Sequence, residues 1–456
     1  MSLRLSTIIL AAGQGTRMRS DIPKVLQPLA GRPLLGHVLE CAAALAADDV
    51  CVVYGHGGDA VREPFPDADL RWVLQAEQLG TGHAVKQAMP GTPDENRVLV
   101  LFGDVPLLTA RTCERLVDET PEDEVAVLTV DMDDPGGYGR IIRDGRGVAR
   151  IVEEKDASAV EKAVCEINTG VLLCPAKRLK QWLERLSNDN AQSEYYLTDV
   201  IGMAVGDGVT VHGVKADSWT EVMGINDKKQ LAEAERALQA RLVDELMQQG
   251  VGFADPARVD IRGELSCGRD VYIDINAVFE GTVELGDGTT IESNNLIRDS
   301  KLGAGTLVHS NCHIEGATMG RGCEIGPFAR LRPGVELANS VKIGNFVEVK
   351  KSTIADGSKV NHLSYIGDTE IGSRVNVGAG TITCNYDGAN KYKTIIGDGA
   401  FIGSGVELVA PVKVGVGATI GAGSTITKEV GDNLLVLERA KQTAVPGWQR
   451  PVKKEK

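Results

Sequence analysis

The chain has 456 residues, of which 43% are hydrophobic, 25% charged and only 4% aromatic, and 53 are glycine. This length predicts about three structural units at ~150 residues each. The formal net charge is −14, from 49 Lys and Arg against 63 Asp and Glu. Nucleic acids and anionic membranes are bound by clustered cations, so the charge argues against both partners. A small phosphate compound held by a few local cations stays possible.

Nine cysteines are present, an odd number without a Cys-x-x-Cys pair. This pattern excludes a disulfide framework and a zinc ribbon. The apolar start, from Leu5 to Ala12, is too short for a membrane span and lacks a signal-peptide pattern. We therefore expect a cytoplasmic protein.

In the first 228 residues, short β-branched runs alternate with helix-like segments. The runs cover residues 5–10, 50–54, 70–74, 98–102 and 125–130. Continuous apolar runs separated by helices are typical of a mainly parallel sheet covered on both faces. Residues 1–228 are therefore predicted to form an α/β domain, with ligands at the carboxyl ends of the strands.

Residues 227–249 are predicted to form one helix, because they contain no Gly or Pro. Asn226 or Asp227 can cap its start, and Gly250 follows its end. We expect residues 229–249 to be a helical linker between domains 1–228 and 250–456.

After residue 250, apolar residues recur at every sixth position. One unbroken series is Ile396, Ile402, Leu408, Val414, Ile420 and Ile426. Small residues lie four positions after each of the first five. This pattern predicts a parallel β-helix of hexapeptide repeats, since hairpin loops would not keep the phase. The phase breaks most severely between Val377 and Ile396, where we expect an inserted loop that binds ligands.

The first candidate site is Leu10-Ala-Ala-Gly13-Gln-Gly-Thr-Arg17, which continues to Lys24. Glycines after a strand let the backbone approach a phosphate, and Arg17 and Lys24 add positive charge. The segment is neither a Walker A loop nor a dinucleotide-binding G-x-G-x-x-G. A plain strand–helix turn with two surface cations is the alternative.

The second candidate is Asp104, which follows the apolar run 98–102 and Gly103. A carboxylate at the end of a buried strand suits Mg²⁺, with Asn226 as a second oxygen donor. Both residues have ordinary alternatives. Asp104 can be an N-cap or turn residue, and Asn226 can cap the following helix.

His362 is a lone histidine, and the residues alone favour a structural or solvent-facing role. The cluster His309-x-x-Cys312-His313 brings soft ligands close together in sequence. Because neighbouring strand residues point to opposite faces, we expect scaffold residues there and no metal site.

Residues 10–24 resemble the L-x-x-G-x-G-T-x-M-x-S-x-x-P-K signature of sugar-1-phosphate nucleotidyltransferases. Nearly the whole chain resembles the bacterial bifunctional N-acetylglucosamine-1-phosphate uridyltransferase and glucosamine-1-phosphate N-acetyltransferase family. Further segments similar to this family are Gln75-Ala-Glu-Gln-Leu-Gly-Thr-Gly-His83, Gly137-Tyr-Gly-Arg-Ile141, Glu166-Ile-Asn-Thr-Gly170 and Pro446-Gly-Trp-Gln-Arg-Pro451. The resemblance implies a Rossmann-like nucleotidyltransferase domain and a left-handed parallel β-helix.

This resemblance also implies the reaction sequence. Acetyl-CoA acetylates glucosamine-1-phosphate, and UTP then uridylylates the product with release of pyrophosphate. The result is UDP-N-acetylglucosamine, which serves peptidoglycan and lipopolysaccharide synthesis. The alternatives are another sugar-1-phosphate nucleotidyltransferase, whose solenoid only regulates or trimerises, and a non-catalytic scaffold with a nucleotide-sensing domain.

For the nucleotidyltransferase site, the resemblance implies that Arg17 and Lys24 are catalytic and hold the triphosphate. Asp104 and Asn226 would bind Mg²⁺. The other implied substrate contacts are Leu10, Ala11, Ala12, Gly13, Gln75, Gly80, Thr81, Phe102, Gly103, Gly139, Glu153 and Asn168. Many relatives carry Tyr at the position of Phe102, so we expect aromatic packing there but no hydroxyl contact.

For the acetyltransferase site, the resemblance implies that His362 is the base that deprotonates the sugar amine. The implied sugar-phosphate contacts are Arg332, Lys350, Tyr365 and Asn376. The implied acetyl-CoA contacts are Ala379, Asn385, Tyr386, Ser404, Ala422 and Arg439. The family resemblance further implies a homotrimer, with each acetyltransferase site shared between chains.

Overall fold

The computed structural model describes residues 4–66, 69–145, 147–190 and 192–453. The chain divides into two compact units, residues 1–238 and 239–456. No helix of the described ranges is long and apolar enough to cross a membrane.

The first unit is built on one mixed sheet. The strands of this unit are β1 Leu5–Ala11, β2 Pro28–Leu29, β3 Arg32–Pro33, β4 Asp49–Tyr54, β5 Arg71–Leu74, β6 Arg97–Phe102, β7 Val125–Asp131, β8 Arg140–Asp144, β9 Gly147–Val152, β10 Glu166–Pro175 and β11 Val211–Lys215. Of these, β2 and β3 pair separately as a two-stranded sheet. Its α-helices are α1 Leu34–Ala44, α2 Thr81–Ala88, α3 Ala110–Asp118, α4 Ala159–Lys162, α5 Ala176–Leu183 and α6 Asp199–Gly206. Short 3₁₀ turns lie at Thr16–Met18, Lys24–Leu26, Gly58–Val61, Met89–Gly91 and Thr220–Val222.

The sheet order is β11-β7-β10-β6-β1-β4-β5. β1 pairs in parallel with β4 and β6, and β4 with β5, so these carboxyl ends lie at one edge. β10 runs antiparallel between β6 and β7, and β8 and β9 form a hairpin beside it. Apolar clusters cover both faces, with α1 and α3 on one and α2, α5 and α6 on the other. The predicted mainly parallel α/β sheet is confirmed.

The long helix α7, Lys228–Gln248, crosses the boundary between the units. Asp227 caps its start, because Asp227 Oδ1 accepts the backbone N–H groups of Lys229 and Gln230 at 2.9 Å each. Gly250 follows its end at φ +98°, a left-handed conformation that favours glycine. The predicted helix is confirmed, with each end one residue shorter.

The second unit contains a short 3₁₀ turn, Pro256–Arg258, and many short strands. The strands β12 to β38 are, in chain order, Gly252–Phe253, Val259–Cys267, Tyr272–Ile273, Ala277–Leu285, Thr290–Ile291, Leu296–Leu302, Leu307–Val308, His313–Glu315, Ala317–Met319, Glu324–Ile325, Arg330–Leu331, Val335–Leu337, Lys342–Asn345, Glu348–Lys350, Thr353–Ile354, Lys359–His362, Tyr365–Gly367, Thr369–Ile371, Asn376–Val377, Ile382–Cys384, Thr394–Ile396, Phe401–Ile402, Glu407–Val409, Val412–Val414, Thr419–Ile420, Thr425–Ile426 and Leu435–Val436.

These strands stack as parallel ladders around one apolar core. Val308, Ile325, Ile343 and Val360 succeed one another at equivalent positions and are fully buried. The six-residue series from Ile396 to Ile426 is also buried. The predicted hexapeptide β-helix is therefore confirmed.

One coil of the β-helix is longer than its neighbours. Val360 pairs with Val377, but Val377 pairs with Ile402. The extra residues project as a loop, closed by a bridge between Tyr386 and Lys391. This loop lies within the predicted insertion.

Candidate active sites

Four predicted residues, far apart in sequence, lie together at the carboxyl edge of the sheet. Lys24 Nζ contacts Asp104 Oδ2 and donates to Asn226 Oδ1 at 3.3 Å. Arg17 Nη2 donates to the same Asn226 oxygen at 2.9 Å. The backbone N–H of Ile225 donates to the Asp104 carbonyl at 2.9 Å, which holds the two oxygen donors side by side.

Neither of these two oxygen donors caps the helix that follows it, although Asp104 lies in a turn directly after β6. Helix α3 is capped by Thr109, whose hydroxyl accepts the Thr112 backbone N–H at 3.2 Å, so Asp104 is not its N-cap. Helix α7 is capped by Asp227. Asp104 and Asn226 therefore direct their side-chain oxygens toward Arg17 and Lys24.

Gly15 fixes the lysine of this cluster. It has φ +61°, and an ideal Cβ on it would lie 2.6 Å from Lys24 Cβ. Any side chain at this position would therefore displace the stem of Lys24. Around Gly13, in contrast, there is open space within 4 Å of an ideal Cβ, which leaves room for a ligand.

Several of the predicted substrate contacts lie at the ends of β1 and its neighbouring strands. Leu10, Ala11 and Ala12 are buried, and the Gly103 N–H donates to the Leu10 carbonyl at 2.9 Å. Gln75 follows β5, the second parallel strand away. The structure thus places these strand ends along one edge.

The segment from Gln75 to Thr81 is held by partly buried hydrogen bonds. Gln75 is 3% exposed, and its Nε2 donates to the Gly80 carbonyl at 3.2 Å. Gly80 has φ +106°, and an ideal Cβ would lie 2.7 Å from the Tyr195 carbonyl, so only glycine fits. The Thr81 hydroxyl accepts the Leu197 N–H at 3.1 Å, which attaches the start of α2 to residues 195–197.

A cavity of about 240 Å³ opens beside this segment. It includes five of the predicted residues, Thr81, Phe102, Gly139, Glu153 and Asn168. Its remaining lining is Val127, Gly137, Tyr138, Ile151, Thr169, Gly170, Leu172, Leu197, Thr198 and Ile201. An apolar wall with a few convergent polar groups is typical of a small-molecule site.

The polar groups of the cavity hold one another in place. The Asn168 N–H donates to the Gly139 carbonyl at 2.8 Å, and Asn168 Oδ1 accepts the Gly170 N–H at 3.0 Å. The Thr198 hydroxyl donates to Glu153 Oε1 at 3.1 Å. Burial raises the pKa of Glu153 above its ordinary value, which the Thr198 hydrogen bond only partly offsets.

Two residues of this region were not predicted. Tyr138 stacks edge-on against Trp219 and lines the cavity. Burial raises its pKa, and the nearby Asp104 raises it further. Thr198 orients Glu153. Tyr138 lies inside the motif 137–141, which was a usable signal, whereas Thr198 has none because its role depends on the position of α6.

In the second unit, His362 is held by a neighbouring coil. His362 Nδ1 lies 2.7 Å from Asn345 Oδ1, and the two residues are ladder partners. Because the amide oxygen accepts, Nδ1 carries the hydrogen and Nε2 keeps its lone pair. Asn345 was not predicted, since no short motif joins residues one coil apart.

Three predicted acetyl-CoA residues continue the ladder that begins with Asn345 and His362. The pairings Val360–Val377, Val377–Ile402 and Ile402–Ile420 place Ala379, Ser404 and Ala422 one above the other. Arg439 lies at the far end, where its Cδ is 3.7 Å from an ideal Cβ on Gly423. The structure thus forms a column that leads away from the imidazole.

A charge ladder on another face ends in two adjacent cations. Charges alternate along ladder partners in the order Arg262, Glu280, Arg298 and Glu315. The next two members of this ladder, Arg332 and Lys350, are both positive. Arg332 Nη1 donates to Glu348 Oε1 at 2.9 Å. Because like charges on opposed strand positions are destabilising, Arg332 and Lys350 are a candidate anion site.

The inserted loop adds a third cation, which was not predicted. Lys391 lies beside Lys350 and is the main reason why the pKa of Lys350 is below its ordinary value, with Arg332 adding to the effect. Tyr365 and Asn385 close the group, since an ideal Cβ on Gly367 would lie 2.5 Å from Tyr365 Oη and 2.8 Å from Asn385 Nδ2.

Other predicted residues lie apart from this group. Asn376 lies on the face that carries His362, opposite Lys359 and Phe401. Tyr386 is exposed on the inserted loop, and its hydroxyl donates to the Gly388 carbonyl at 2.6 Å.

In the region of His309, the histidine contacts carboxylates of neighbouring coils. His309 lies between Glu292 and Glu324, at 3.1 Å from each carboxylate. Cys312 is buried, which raises the pKa of its thiol to about 11. Within the described residues, no group of three or more His, Cys, Asp or Glu could hold a metal ion.

The cluster around Asp104 nevertheless fits a magnesium ion that is shared with a substrate. Two hard oxygen donors, Asp104 Oδ2 and Asn226 Oδ1, both contact the Lys24 ammonium, and Asn226 Oδ1 also accepts from Arg17. Mg²⁺ is usually bound by one or two protein oxygens together with substrate phosphates.

The fold and the two sites together define a nucleotidyltransferase joined to a hexapeptide-repeat transferase. The family model for the MobA-like NTP transferase domain matches residues 7–196, and that for bacterial transferase hexapeptide (six repeats) matches 393–428. The chain is 59% identical to the bifunctional protein GlmU of Aromatoleum aromaticum, over 99% of both chains. It is 58% identical to that of an Azoarcus species, over 98% of this chain and 100% of the relative.

A third relative, the bifunctional protein GlmU of Ralstonia nicotianae, is 56% identical over 99% of this chain and 100% of its own. The chain belongs to the GlmU family. The predicted bifunctional enzyme, an acetyltransferase and a uridyltransferase that make UDP-N-acetylglucosamine, is thereby confirmed. Enzymes of this family generally depend on Mg²⁺.

Proposed function

We propose that His362 is the general base for the transfer of acetyl from acetyl-CoA to glucosamine-1-phosphate. We propose further that the Lys24–Asp104 cluster binds and aligns the phosphates for the transfer of uridylyl from UTP to the product. One observation is the main support for this proposal. The described residues form two separate groups. One is an oriented imidazole, His362, beside a column of small residues, with Arg332, Lys350 and Lys391 on the adjacent face. The other is the cation–oxygen cluster around Lys24 and Asp104, beside the 240 Å³ cavity.

In the acetyl transfer, His362 Nε2 takes a proton from the ammonium of glucosamine-1-phosphate. Asn345 keeps Nδ1 protonated, so the imidazole is presented in the tautomer that accepts at Nε2. The free amine attacks the thioester carbonyl, and the coenzyme thiolate leaves. We place the Ser404 N–H as the donor that stabilises the oxyanion, with Ala379 and Ala422 along the coenzyme.

The sugar phosphate is held by Arg332 and Lys350, with Lys391 as a third cation. A dianion removed from water needs paired cations with hydrogen bonds, and the break in the charge ladder supports this role. Tyr365 and Asn385 close one side of the site. Asn376 adds a sugar-phosphate contact from the face that carries His362. Asn385, Tyr386 and Arg439 are the remaining proposed contacts to acetyl-CoA.

In the uridylyl transfer, a phosphate oxygen of N-acetylglucosamine-1-phosphate attacks the α-phosphorus of UTP, and pyrophosphate leaves. No protein nucleophile is needed. Arg17 and Lys24 neutralise the phosphates and align them, which is the main catalytic requirement of this chemistry. Mg²⁺ at Asp104 and Asn226 would supply further charge neutralisation.

The substrates of this second reaction are placed by the strand ends and the cavity. Gln75, Gly80 and Thr81 bind the uracil beside Leu10, Ala11, Ala12 and Gly13, with Phe102 and Gly103 at the adjoining strand end. Gly139, Glu153 and Asn168 hold the sugar. The buried Gln75 side chain and the convergent polar groups of the cavity support these roles.

Two substitutions test whether the two activities depend on two separate sites. We expect His362→Ala to lower acetyl transfer at least ~10²-fold, the usual effect of losing a general base, with uridylyl transfer unchanged. We expect Asp104→Ala to do the reverse. Thiol release from acetyl-CoA and pyrophosphate release from UTP measure the two activities in one preparation. Loss of both activities with either variant would contradict two separate sites.

We further propose that the enzyme is a homotrimer through its β-helix. The support is a column of exposed apolar residues beside His362: Phe328, Phe346 and Leu363, at 50%, 54% and 61% exposure. All three have positive φ, where a side chain is strained, and the equivalent corners of other coils carry Asn or Gly. An exposed apolar stripe in strained positions is typical of an interface.

Light scattering after size exclusion tests this assembly. We expect Phe346→Asn, which suits a left-handed corner, to dissociate the trimer and to lower acetyl transfer. The control is Val416→Asn, which changes an exposed apolar residue outside the column. An unchanged mass with Phe346→Asn would contradict the proposed interface.

We place the enzyme in the cytoplasm, where UTP and acetyl-CoA are available. All nine cysteines are free thiols, the state that a reducing compartment maintains.

A further inference from the structure

The Lys24 ammonium lies between the two oxygen donors that we assign to magnesium. Its Nζ contacts Asp104 Oδ2 and donates to Asn226 Oδ1 at 3.3 Å. The ion pair is largely buried, with 12% of the Lys24 side chain and 19% of the Asp104 side chain exposed. The chain therefore supplies a cation of its own to this carboxylate.

The position of this lysine is set by packing as well as by the carboxylate. The glycine-rich loop lies directly against the stem of Lys24, because an ideal Cβ on Gly15 would be 2.6 Å from Lys24 Cβ. Lys24 also begins a 3₁₀ turn, Lys24–Leu26, directly after Pro23. Backbone geometry thus delivers the ammonium to the two oxygens.

The same two oxygens cannot serve an ammonium and a divalent cation at once. A metal ion bound to Asp104 Oδ2 and Asn226 Oδ1 would lie within a few ångströms of Nζ, where like charges repel strongly. The ammonium must move before the metal binds. The phosphates of a nucleotide offer it a second set of anionic oxygens, and they add ligands to the metal.

We propose that Lys24 is a place-holding cation for the magnesium site. It neutralises Asp104 until the triphosphate of a nucleotide draws its ammonium away, so the metal enters together with the nucleotide and binds poorly by itself. The inference rests on the proposed assignment of Asp104 and Asn226 as metal ligands. Binding linkage is reciprocal. The lysine therefore makes metal affinity depend more strongly on bound nucleotide, and nucleotide affinity depend more strongly on bound metal.

The test measures Mn²⁺ binding to the full-length chain without nucleotide, by electron paramagnetic resonance of the free ion. We expect Lys24→Met to bind Mn²⁺ at least tenfold more tightly than the unaltered chain. Adding UTP should then strengthen Mn²⁺ binding by a smaller factor in Lys24→Met than in the unaltered chain. Neither measurement requires turnover.

The matched control is Arg17→Met, which removes a cation that donates to Asn226 at 2.9 Å. We expect its effect on Mn²⁺ affinity to be less than threefold. An effect as large as that of Lys24→Met would overturn the inference, since the gain would then reflect net charge alone. Unchanged or weaker Mn²⁺ binding by Lys24→Met would also overturn it.

Two further variants keep the outcome clear. If Lys24→Met melts well below the unaltered chain, Lys24→Gln is measured in its place under the same criterion. Asp104→Asn, measured with UTP present, tests the underlying ligand assignment. If Asp104→Asn still takes up Mn²⁺ fully, the proposed metal site fails. If Asp104→Asn does not take up Mn²⁺ and Lys24→Met leaves Mn²⁺ affinity unchanged, only the place-holding role of Lys24 fails.

Discussion

The cavity that we assign to the sugar depends on a contact between Gly170 and the ring of Phe102, and Gly170→Ala tests this assignment. Gly170 has φ +90°, and an ideal Cβ on it would lie 2.6 Å from Phe102 Cε2 and 2.8 Å from Cζ. Ordinary contact begins at 3.4 Å, so the ring must retreat by ~0.8 Å. An alanine in a left-handed conformation costs a further ~1–2 kcal/mol.

The expected result is a selective defect in uridylyl transfer. A displacement of ~1 Å at a substrate-positioning group can lower the rate ~10²-fold, so we expect kcat/KM for N-acetylglucosamine-1-phosphate to fall 10- to 100-fold by the same principle. Pyrophosphate release measures this activity. Acetyl transfer by the second unit, measured on the same sample, should stay unchanged and reports on folding and concentration.

Two controls separate the clash from other effects. Gly136→Ala lies in the neighbouring loop, where an ideal Cβ meets only Asp134 Oδ1 at 3.4 Å, and should be close to neutral. Adding Phe102→Leu to Gly170→Ala should recover activity relative to Gly170→Ala alone, because the shorter side chain removes the clash. An unaltered kcat/KM in Gly170→Ala would refute the reasoning.

Three more outcomes follow from the structure. Asn345→Ala removes the hydrogen bond that orients the imidazole, worth ~1 kcal/mol, so acetyl transfer should fall ~5- to 10-fold with uridylyl transfer unchanged; equal losses would point to misfolding. Lys391→Ala should raise KM for glucosamine-1-phosphate ~10-fold or more, as expected for the loss of a charge-assisted hydrogen bond. The control Lys393→Ala, whose partner is Glu370, should leave KM unchanged. A similar rise in the control would contradict a specific role for Lys391 in binding the phosphate. Burial raises the carboxyl pKa of Glu153 in the folded state, so the native state binds the proton more tightly and stability falls as pH rises above the ordinary pKa of Glu. In calorimetry, the melting temperature of Glu153→Gln should therefore fall less between pH 4 and pH 7 than that of the unaltered chain. An identical fall in both would contradict the direction of the pKa shift.

Patterns within a short stretch predicted most of the fold. Each apolar run of the first unit became a strand of the sheet, because a strand buried on both faces must be apolar along its length. The hexapeptide spacing predicted the β-helix, because each coil returns the same position to the core. β10 was not predicted as an antiparallel strand, since its direction depends on the chain path and not on its composition.

The site residues also divide into those that a short motif predicts and those that only the three-dimensional structure brings together. Gly13, Arg17 and Lys24 lie in one segment whose spacing is informative. The partnership of Lys24 with Asn226 is not visible in sequence, because it depends on the loop after β6 meeting the residues before α7. Asn345 belongs to His362 only through the register of neighbouring coils. Contacts of this kind need the three-dimensional structure.

The regularity of the β-helix makes its functional residues recognisable as exceptions. Charges alternate between ladder partners until Arg332 and Lys350 break the series. The left-handed corners carry Asn or Gly on several coils, until Phe328, Phe346 and Leu363 replace them with large apolar side chains. Both changes lower the stability of an isolated coil, so neither serves the scaffold. They occur within the same few coils as His362 and on different faces, where we propose the anion site and the subunit contact surface. Coils that served only stability would keep the alternating charges and the Asn or Gly residues at the left-handed corners. Chemistry is expected where several such local preferences are broken together.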